Sequence, residues 1–328
     1  MLPWVERPIL DVDLDRPAAS RFADMPRDAL AAGQRLLGAV TESIPKKARV
    51  LAQAVRLRTL NRFHAEIVGL ANQVRADWRD VTLANISYDL LLATFGCSTV
   101  VLPTPNGPVV ARNMDWWPED ILAQASYLVR HFRKGVLQFA NAGWPGATGV
   151  VTGLSGRGFA IVLNAVIGPE GHSRLGYPVL LHLRRVLEDA ADFDSARRML
   201  CEQRLTVSAL LTLAGRENHQ RVVIERTPTR YAERWPKEDE PLIATNDYRL
   251  LFRPETHAAG PEIYQSTCSR YEALCAFFAD HRPDRDVSDE SLLYRLTDER
   301  VIQGITAQHI IMRPRSLATR LFVPRRLL

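Results

Sequence analysis

Gly96-Cys97-Ser98-Thr99-Val100-Val101-Leu102, then Pro105-Asn106-Gly107, then Val109-Val110 and Arg112-Asn113-Met114-Asp115: this stretch decides how the chain reads. A β-branched run on either side of an Asn-Gly turn predicts a hairpin, because that dipeptide readily adopts the backbone conformation a tight reversal requires. The second strand then carries Arg112 and Asp115 back towards Cys97. A guanidinium beside a cysteine favours thiolate, and thiolate is the nucleophile. Gly96 has no side chain to obstruct attack on its own carbonyl. A thiol so placed can move the Gly96 acyl group from nitrogen to sulfur, after which water cleaves the ester. Cys97 would then begin a new chain with a free α-amine.

That amine supplies a base the sequence otherwise lacks. His64, His131, His172 and His182 are scattered, and neither a Ser/His/Asp arrangement nor GxSxG stands out. An α-amine titrates at about 7.7–8.0 and a free thiol at about 8.5, so the two exchange a proton readily near neutral pH. Asp115 is expected to accept a hydrogen bond from the amine, and Arg112 to stabilise thiolate. The ordinary alternatives are an exposed ion pair at a strand end, worth about 0–1 kcal/mol, and a buried structural thiol at Cys97. Asn164 closes the run Phe159-Ala160-Ile161-Val162-Leu163, and Asn246 closes Ile243-Ala244-Thr245. Each reads either as a turn residue or as an oxyanion donor, which contributes about 3–4 kcal/mol. Arg270 opens a predicted helix, where a solvated charge is the usual case.

Composition narrows the class. The chain has 328 residues, 46% hydrophobic and 24% charged, ordinary values for a globular protein. No apolar run is long enough to span a bilayer. The opening Met1-Leu2-Pro3-Trp4-Val5-Glu6-Arg7 lacks the basic-then-apolar pattern of a signal peptide, so a cytoplasmic location is expected. Four cysteines without CxxC spacing, and no HExxH, argue against a disulfide framework or a metal site, and no cofactor is expected. The net charge of +5 comes from basic residues spread along the chain, which argues against a nucleic-acid partner.

Two regions differ in texture. Residues 1–96 open with an extended Ile9–Leu14. A helix is then predicted from Asp28 to about Val40, a break at Ser43-Ile44-Pro45, and a second long helix through Val50, Val55, Phe63, Ile67 and Leu70. Val81–Leu92 is ambiguous between helix and strand. From Cys97 to residue 328, short β-branched runs such as Val150-Val151, Val222-Val223-Ile224 and Ile310-Ile311-Met312 alternate with helices near 177–190, 194–203 and 267–280. Two antiparallel sheets covered by helices fit this order. Gly143-Trp144-Pro145-Gly146-Ala147-Thr148-Gly149 lacks the Lys-Ser/Thr of a phosphate loop and reads as turns between strands. Arg234–Pro241 reads as a mobile loop.

Taken together, these residues resemble the N-terminal-nucleophile hydrolases, in the branch of acid ceramidase and N-acylethanolamine acid amidase, with bile salt hydrolases and penicillin V acylases as further kin. The matching segments are Asn85-Ile86-Ser87-Tyr88-Asp89, Cys97-Ser98-Thr99-Val100-Val101, Ala111-Arg112-Asn113-Met114-Asp115, Gly143-Trp144-Pro145-Gly146, Leu163-Asn164, Thr245-Asn246 and Ser269-Arg270-Tyr271. Even Val12-Asp13-Leu14-Asp15-Arg16-Pro17 resembles the start of the lipid-amidase proenzymes. The resemblance spans nearly the whole chain, and the order and spacing of the motifs make it specific. It implies an αββα sandwich, cleavage between Gly96 and Cys97, and Cys97 as nucleophile and base carrier. It further implies Arg112 and Asp115 as its orienting pair, Asn246 as oxyanion donor aided by backbone N–H near Asn164 and Ala165, and Arg270 completing the cluster.

Two departures stand out. Ala165 replaces an acidic residue of the lipid amidases, and residues 1–96 contain no cysteine, so the fragments of an αβ heterodimer would be held non-covalently. The expected activity is hydrolysis of the linear amide of an N-acyl amine, a small-molecule substrate met in solution or at a lipid surface. The alternatives are an acyltransferase of the isopenicillin type, a bile salt or penicillin V acylase-like amidase, and a binding protein with an inert Cys97.

Overall fold

The computed structural model describes residues 2–90, 95–237, 239–252 and 261–328. Two short strands, β1 (Trp4–Glu6) and β2 (Ile9–Asp13), precede five helices, α1 (Arg27–Glu42), α2 (Leu51–Arg58), α3 (His64–Gln73), α4 (Trp78–Asn85) and α5 (Ser87–Leu90). The hairpin of β3 (Phe95–Leu102) and β4 (Val109–Trp116) follows, then α6 (Glu119–Ala125) and the strands β5 (Tyr127–Arg133), β6 (Val136–Gly143), β7 (Thr152–Ser155) and β8 (Phe159–Asn164). Next come α7 (Val179–Asp189), α8 (Phe193–Glu202), β9 (Ala209–Ala214), β10 (Arg221–Arg226), β11 (Tyr231–Arg234) and β12 (Leu242–Ala244). The chain ends with α9 (Pro261–Phe277), α10 (Asp289–Leu296), β13 (Thr306–Arg313) and β14 (Ala318–Pro324).

One sheet runs β1-β14-β13-β4-β3-β12 and the other β11-β10-β9-β8-β7-β6-β5-β2. They stack face to face with helices outside, the αββα sandwich anticipated from the sequence. Pairing is antiparallel except where β2 runs parallel to β5. The N-terminal segment is thus not purely helical, since it adds one edge strand to each sheet. Period-two alternation sorts the hairpin residues. Val101, Val110 and Met114 enter the larger core, while Val100, Leu102, Val109 and Ala111 pack with Leu274 of α9 and Leu292 of α10.

The hairpin reverses at Asn106-Gly107, where Gly107 has φ +84 and donates its N–H to Thr104 O at 3.1 Å. Only glycine adopts that conformation without strain, and a Cβ there would also meet Arg216 O at 2.4 Å.

Several local expectations change. The second long helix is instead a 3₁₀ turn (Lys46–Val50), α2 and α3, because Leu60 and Asn61 turn left-handed with φ 50 and 60. The Asn61 side chain holds that break by accepting from Arg56 Nε at 2.7 Å, a role short polar side chains favour. Arg270 lies well inside α9 rather than opening it. Val150-Val151 precedes β7 and is not a strand. The ambiguous stretch from Val81 is helical in α4 and α5, and its end at Leu91-Leu92 lies outside the described residues, as does Glu238 of the expected loop. Within that loop, Arg221 Nη1 donates to Glu240 O at 2.5 Å and Trp235 meets Phe193 edge-on. Among the described residues, no helix is long and apolar enough to cross a membrane.

Candidate active site

The site forms where the start of β3 meets the ends of β8 and β12. Register places Gly96 opposite Asp115, Cys97 opposite Met114 and Thr99 opposite Arg112. Cys97 therefore points between the sheets. Arg112, two residues before Met114 and so on the same face, donates from Nη2 to Cys97 Sγ at 2.7 Å. Its other terminal nitrogen donates to Thr152 Oγ1 on β7 at 2.6 Å, which fixes the guanidinium plane. The backbone N–H of Ala165 also points at the sulfur, and Leu163 O lies 3.6 Å away.

Cys97, Arg112, Asp115, Asn164, Asn246 and Arg270 are all buried. That burial decides the resting state of the sulfur. It pushes the Cys97 thiol above its ordinary range, and Arg112 only partly opposes the effect. A guanidinium alone predicts thiolate; in the continuous chain, desolvation wins.

The six residues converge, and in the continuous chain they pair as follows. The Cys97 N–H donates to Asn246 Oδ1 at 3.0 Å, not to Asp115. The reason is register: Asp115 faces Gly96 across the ladder and projects from the opposite side of β4 to Arg112. Asp115 Oδ2 lies 3.0 Å from where a Cβ on Gly96 would sit. Arg270 Nη1 donates to Cys97 O at 2.5 Å and Ser98 Oγ at 2.9 Å, and its Nη2 to Asn246 Oδ1 at 2.9 Å. With two donors on its oxygen, Asn246 turns Nδ2 away to Ala165 O at 2.8 Å. In this state it accepts where the resemblance implied donation. Asn164 braces the sheets: its Nδ2 donates to Ala244 O and Thr245 O, both at 3.0 Å, and its Oδ1 accepts from Thr99 Oγ1 at 2.8 Å. The Ala165 backbone N–H is thus the donor that joins Arg112 in aiming at the sulfur.

Three hydroxyls complete the site without a signal in the sequence: Thr152, Thr267, which accepts the Asn246 N–H at 2.7 Å, and Thr306, which donates to Asp115 Oδ1 at 2.6 Å. All three are fully buried. Behind the catalytic turn, Tyr88 receives the Val166 N–H and donates its hydroxyl proton to Ser208 O at 2.7 Å. The Asn85 carboxamide, part of a formal glycosylation sequon, is buried and accepts from Thr148 N at 2.6 Å and Gly149 N at 2.8 Å. Among the described residues, no cluster of His, Cys, Asp and Glu could hold a metal ion. His131, His182 and His309 are buried, their imidazoles held neutral by desolvation.

The two-sheet fold is that of the N-terminal-nucleophile hydrolases. Residues 102–299 match the family model described as acyl-coenzyme A:6-aminopenicillanic acid acyl-transferase, and the chain belongs to that family. It is 24% identical over 248 residues to an N-acylethanolamine-hydrolyzing acid amidase of Caenorhabditis elegans, covering 69% of each protein. It is 24% identical over 219 residues to the 40 kDa form of acyl-coenzyme A:6-aminopenicillanic-acid-acyltransferase of Emericella nidulans, covering 65% of this chain and 59% of that protein. The structure of the Caenorhabditis elegans N-acylethanolamine-hydrolyzing acid amidase ortholog superposes with a TM-score of 0.55 at 19% identity, covering 67% of this chain and 93% of that one.

Proposed function

We propose that this chain is a self-processing cysteine amidase that hydrolyses the amide of an N-acyl amine, with a fatty acyl group as the preferred acid part. The observation that carries the reading is the setting of Cys97 Sγ, with Gly96 before it and two N–H donors, from Arg112 and Ala165, directed at the sulfur. In maturation the bond between Sγ and the Gly96 carbonyl carbon forms and the Gly96–Cys97 C–N bond breaks. The thiol proton ends on the Cys97 nitrogen, and water releases the Gly96 carboxylate. In turnover the same sulfur attacks the substrate carbonyl, the Cys97 amine protonates the leaving amine, and water resolves the thioester. Asn246, Arg270 and Asp115 surround the new amine, and Ala165 N–H stabilises the oxyanion.

An apolar cleft supports the acyl preference. Trp116 lies on the same face of β4 as Arg112 and Met114. With Trp144, Leu36, Leu37, Val40 and Leu70 it lines a narrow apolar cleft between the sandwich and α1 and α3. Delivery from a lipid surface fits α2 and its flanks, where Val50, Leu57 and Leu60 are 72%, 68% and 87% exposed and Lys46 and Lys47 lie in the turn before the helix. The cleaved fragments remain together non-covalently, because residues 1–96 supply an edge strand to each sheet and share the main core.

The acyltransferase reading rests on the family description and the Emericella nidulans relative; it differs only in handing the thioester to an amine instead of water. Intact-mass analysis after expression tests self-processing: fragments of about 11 and 26 kDa from the 36.9 kDa chain are expected, the larger beginning Cys-Ser-Thr-Val. A panel of N-acyl ethanolamines, ceramides, acyl amino acids and phenoxyacetyl amides, with and without an acceptor amine, identifies substrate and acceptor. A chain that stays whole and turns over none of them sinks the proposal.

A further inference from the structure

We propose that Thr306 is the positioning residue that holds Asp115 with Oδ2 against the Gly96–Cys97 junction, so that this oxygen alone exchanges the proton there. The inference rests on the proposed self-cleavage at that junction and concerns a residue on β13, separated from Asp115 by 191 positions in sequence.

Thr306 is locked before it meets Asp115. Its N–H donates to Gln303 O at 3.0 Å, and its Oγ1 accepts the Gln303 N–H at 2.9 Å. This reciprocal pair closes the turn Gln303-Gly304-Ile305-Thr306. Because Oγ1 already accepts from Gln303, its single proton is free to point elsewhere, and it goes to Asp115 Oδ1 at 2.6 Å. The β4–β13 ladder carries an irregularity between Thr306 and Gln308: Thr306 pairs with Asp115, yet Gln308 pairs with Met114. One extra residue, Ala307, is accommodated on β13. Bulges of this kind re-aim a side chain beside a functional site. The neighbouring backbone is pinned by Trp116 N–H donating to Ile305 O at 3.0 Å.

The consequence falls on the two oxygens of one carboxyl. Oδ1 is occupied by a donor that is itself immobile. Oδ2 is buried with no hydrogen-bond partner, sits 4.0 Å from Arg270 Nη1, and is the atom nearest to where a Cβ on Gly96 would sit, at 3.0 Å. An unpaired buried carboxyl oxygen is costly unless it is protonated or used. Burial holds the Asp115 carboxyl above its ordinary range, opposed by Arg270, the Thr306 hydroxyl and Arg112. With Oδ1 accepting from Thr306, a proton taken up by this carboxyl is directed to Oδ2. That oxygen is the one directed at Gly96, whose bond to Cys97 is to be broken. Without Thr306 the carboxyl can rotate and present either oxygen.

The test compares wild type with Thr306→Val, which keeps the shape and removes the hydroxyl, and Thr306→Ser, which restores it. Three quantities are read across pH: the rate of Gly96–Cys97 cleavage by intact mass, kcat and KM on the best acyl amide, and the Asp115 carboxyl titration by infrared difference, assigned with Asp115→Asn. Thr306→Val is expected to lower the cleavage rate and kcat by about 10- to 100-fold with KM little changed. It should also move the Asp115 titration and the matching limb of the rate profile upward by about one pH unit, since a bond favouring the ionised form is lost. Thr306→Ser should recover most of both. Unchanged rates and titration in Thr306→Val, or a Thr306→Ser as impaired as Thr306→Val, would overturn the proposal. The infrared titration needs neither cleavage nor turnover, so an inert wild type would sink the proposed function while this test still reads out.

Discussion

Two buried polar clusters sit on opposite sides of the larger sheet, and they are built on different principles. In the first, Glu66 of α3 is 2% exposed and each of its oxygens meets a guanidinium, Arg21 at 2.7 Å and Arg184 at 3.4 Å. Arg184 also binds Glu188 at 2.7 Å, and Arg62 joins Glu188 and Asp189 at 2.8 and 2.6 Å. In the second, around Cys97, Asp115 Oδ2 and Arg270 Nε have no hydrogen-bond partner, and burial raises both the thiol and the carboxyl. The first cluster joins residues before Gly96 to residues far beyond it, and every carboxylate oxygen named in it meets a guanidinium, although Arg21 Nε, like Arg270 Nε, has no hydrogen-bond partner. The second keeps groups in reserve. A buried group left open is what a reaction can use, and its cost must be met by packing elsewhere.

The largest expected effect breaks the second cluster only. Cys97→Ala removes the sulfur, and self-cleavage and turnover should fall by at least about 10³-fold while the fold persists. Intact mass and product release measure it. A Cys97→Ala chain that still divides after Gly96 would refute the intramolecular route. Glu66→Ala does the reverse: it leaves half-buried Arg21 without its carboxylate and buried Arg184 with Glu188 as its remaining ion-pair partner, and should cost about 3 kcal/mol of stability, read by urea denaturation. If the mutant also loses cleavage at temperatures where it remains folded, the two clusters are coupled and the contrast fails.

Asp89 belongs to neither cluster and sharpens the comparison. Its buried carboxyl, which accepts from Thr206 Oγ1 and Val179 N–H, is raised from 3.8 to about 6 by desolvation. The folded state therefore holds a proton that the unfolded state releases. This contribution to stability is complete below pH 3.8 and lost as pH rises through 6. It amounts to about 3 kcal/mol, and Asp89→Asn should flatten the unfolding free energy across that window. A slope unchanged by the substitution would show that Asp89 is not the titrating group. The smallest effect belongs to Gly96→Ala: its Cβ would sit 3.0 Å from Asp115 Oδ2. The carboxyl should yield by tenths of an ångström, slowing cleavage about tenfold, as a time course of the two fragments would show. Cleavage at the wild-type rate would mean that the close approach of Gly96 to Asp115 is incidental.

Much of this was legible beforehand because the relevant signals are local. The Cys97–Asp115 hairpin follows from a β-branched run, an Asn-Gly reversal and a second run, all within twenty residues. The layered sandwich follows from short apolar runs alternating with amphipathic helices. The break at Leu60-Asn61 was not legible, since neither Gly nor Pro marks it and the left-handed pair is held by a side-chain bond. Nor was the orientation of Asn246 in the continuous chain, where Cys97 N–H and Arg270 both reach its oxygen and its Nδ2 donates to Ala165 O.

The order of residues along the chain determined which chemistry is available here: a thiol behind a glycine, with Arg112 and Asp115 returned by a turn of a few residues. The tertiary structure alone decided the state of those groups. Thr152, Thr267 and Thr306 arrive from β7, α9 and β13, and no spacing in the sequence announces them. Whether the sulfur rests as thiol or thiolate is likewise a matter of how much water the packed sheets exclude, because desolvation depends on every neighbour at once and not on the residue next in line.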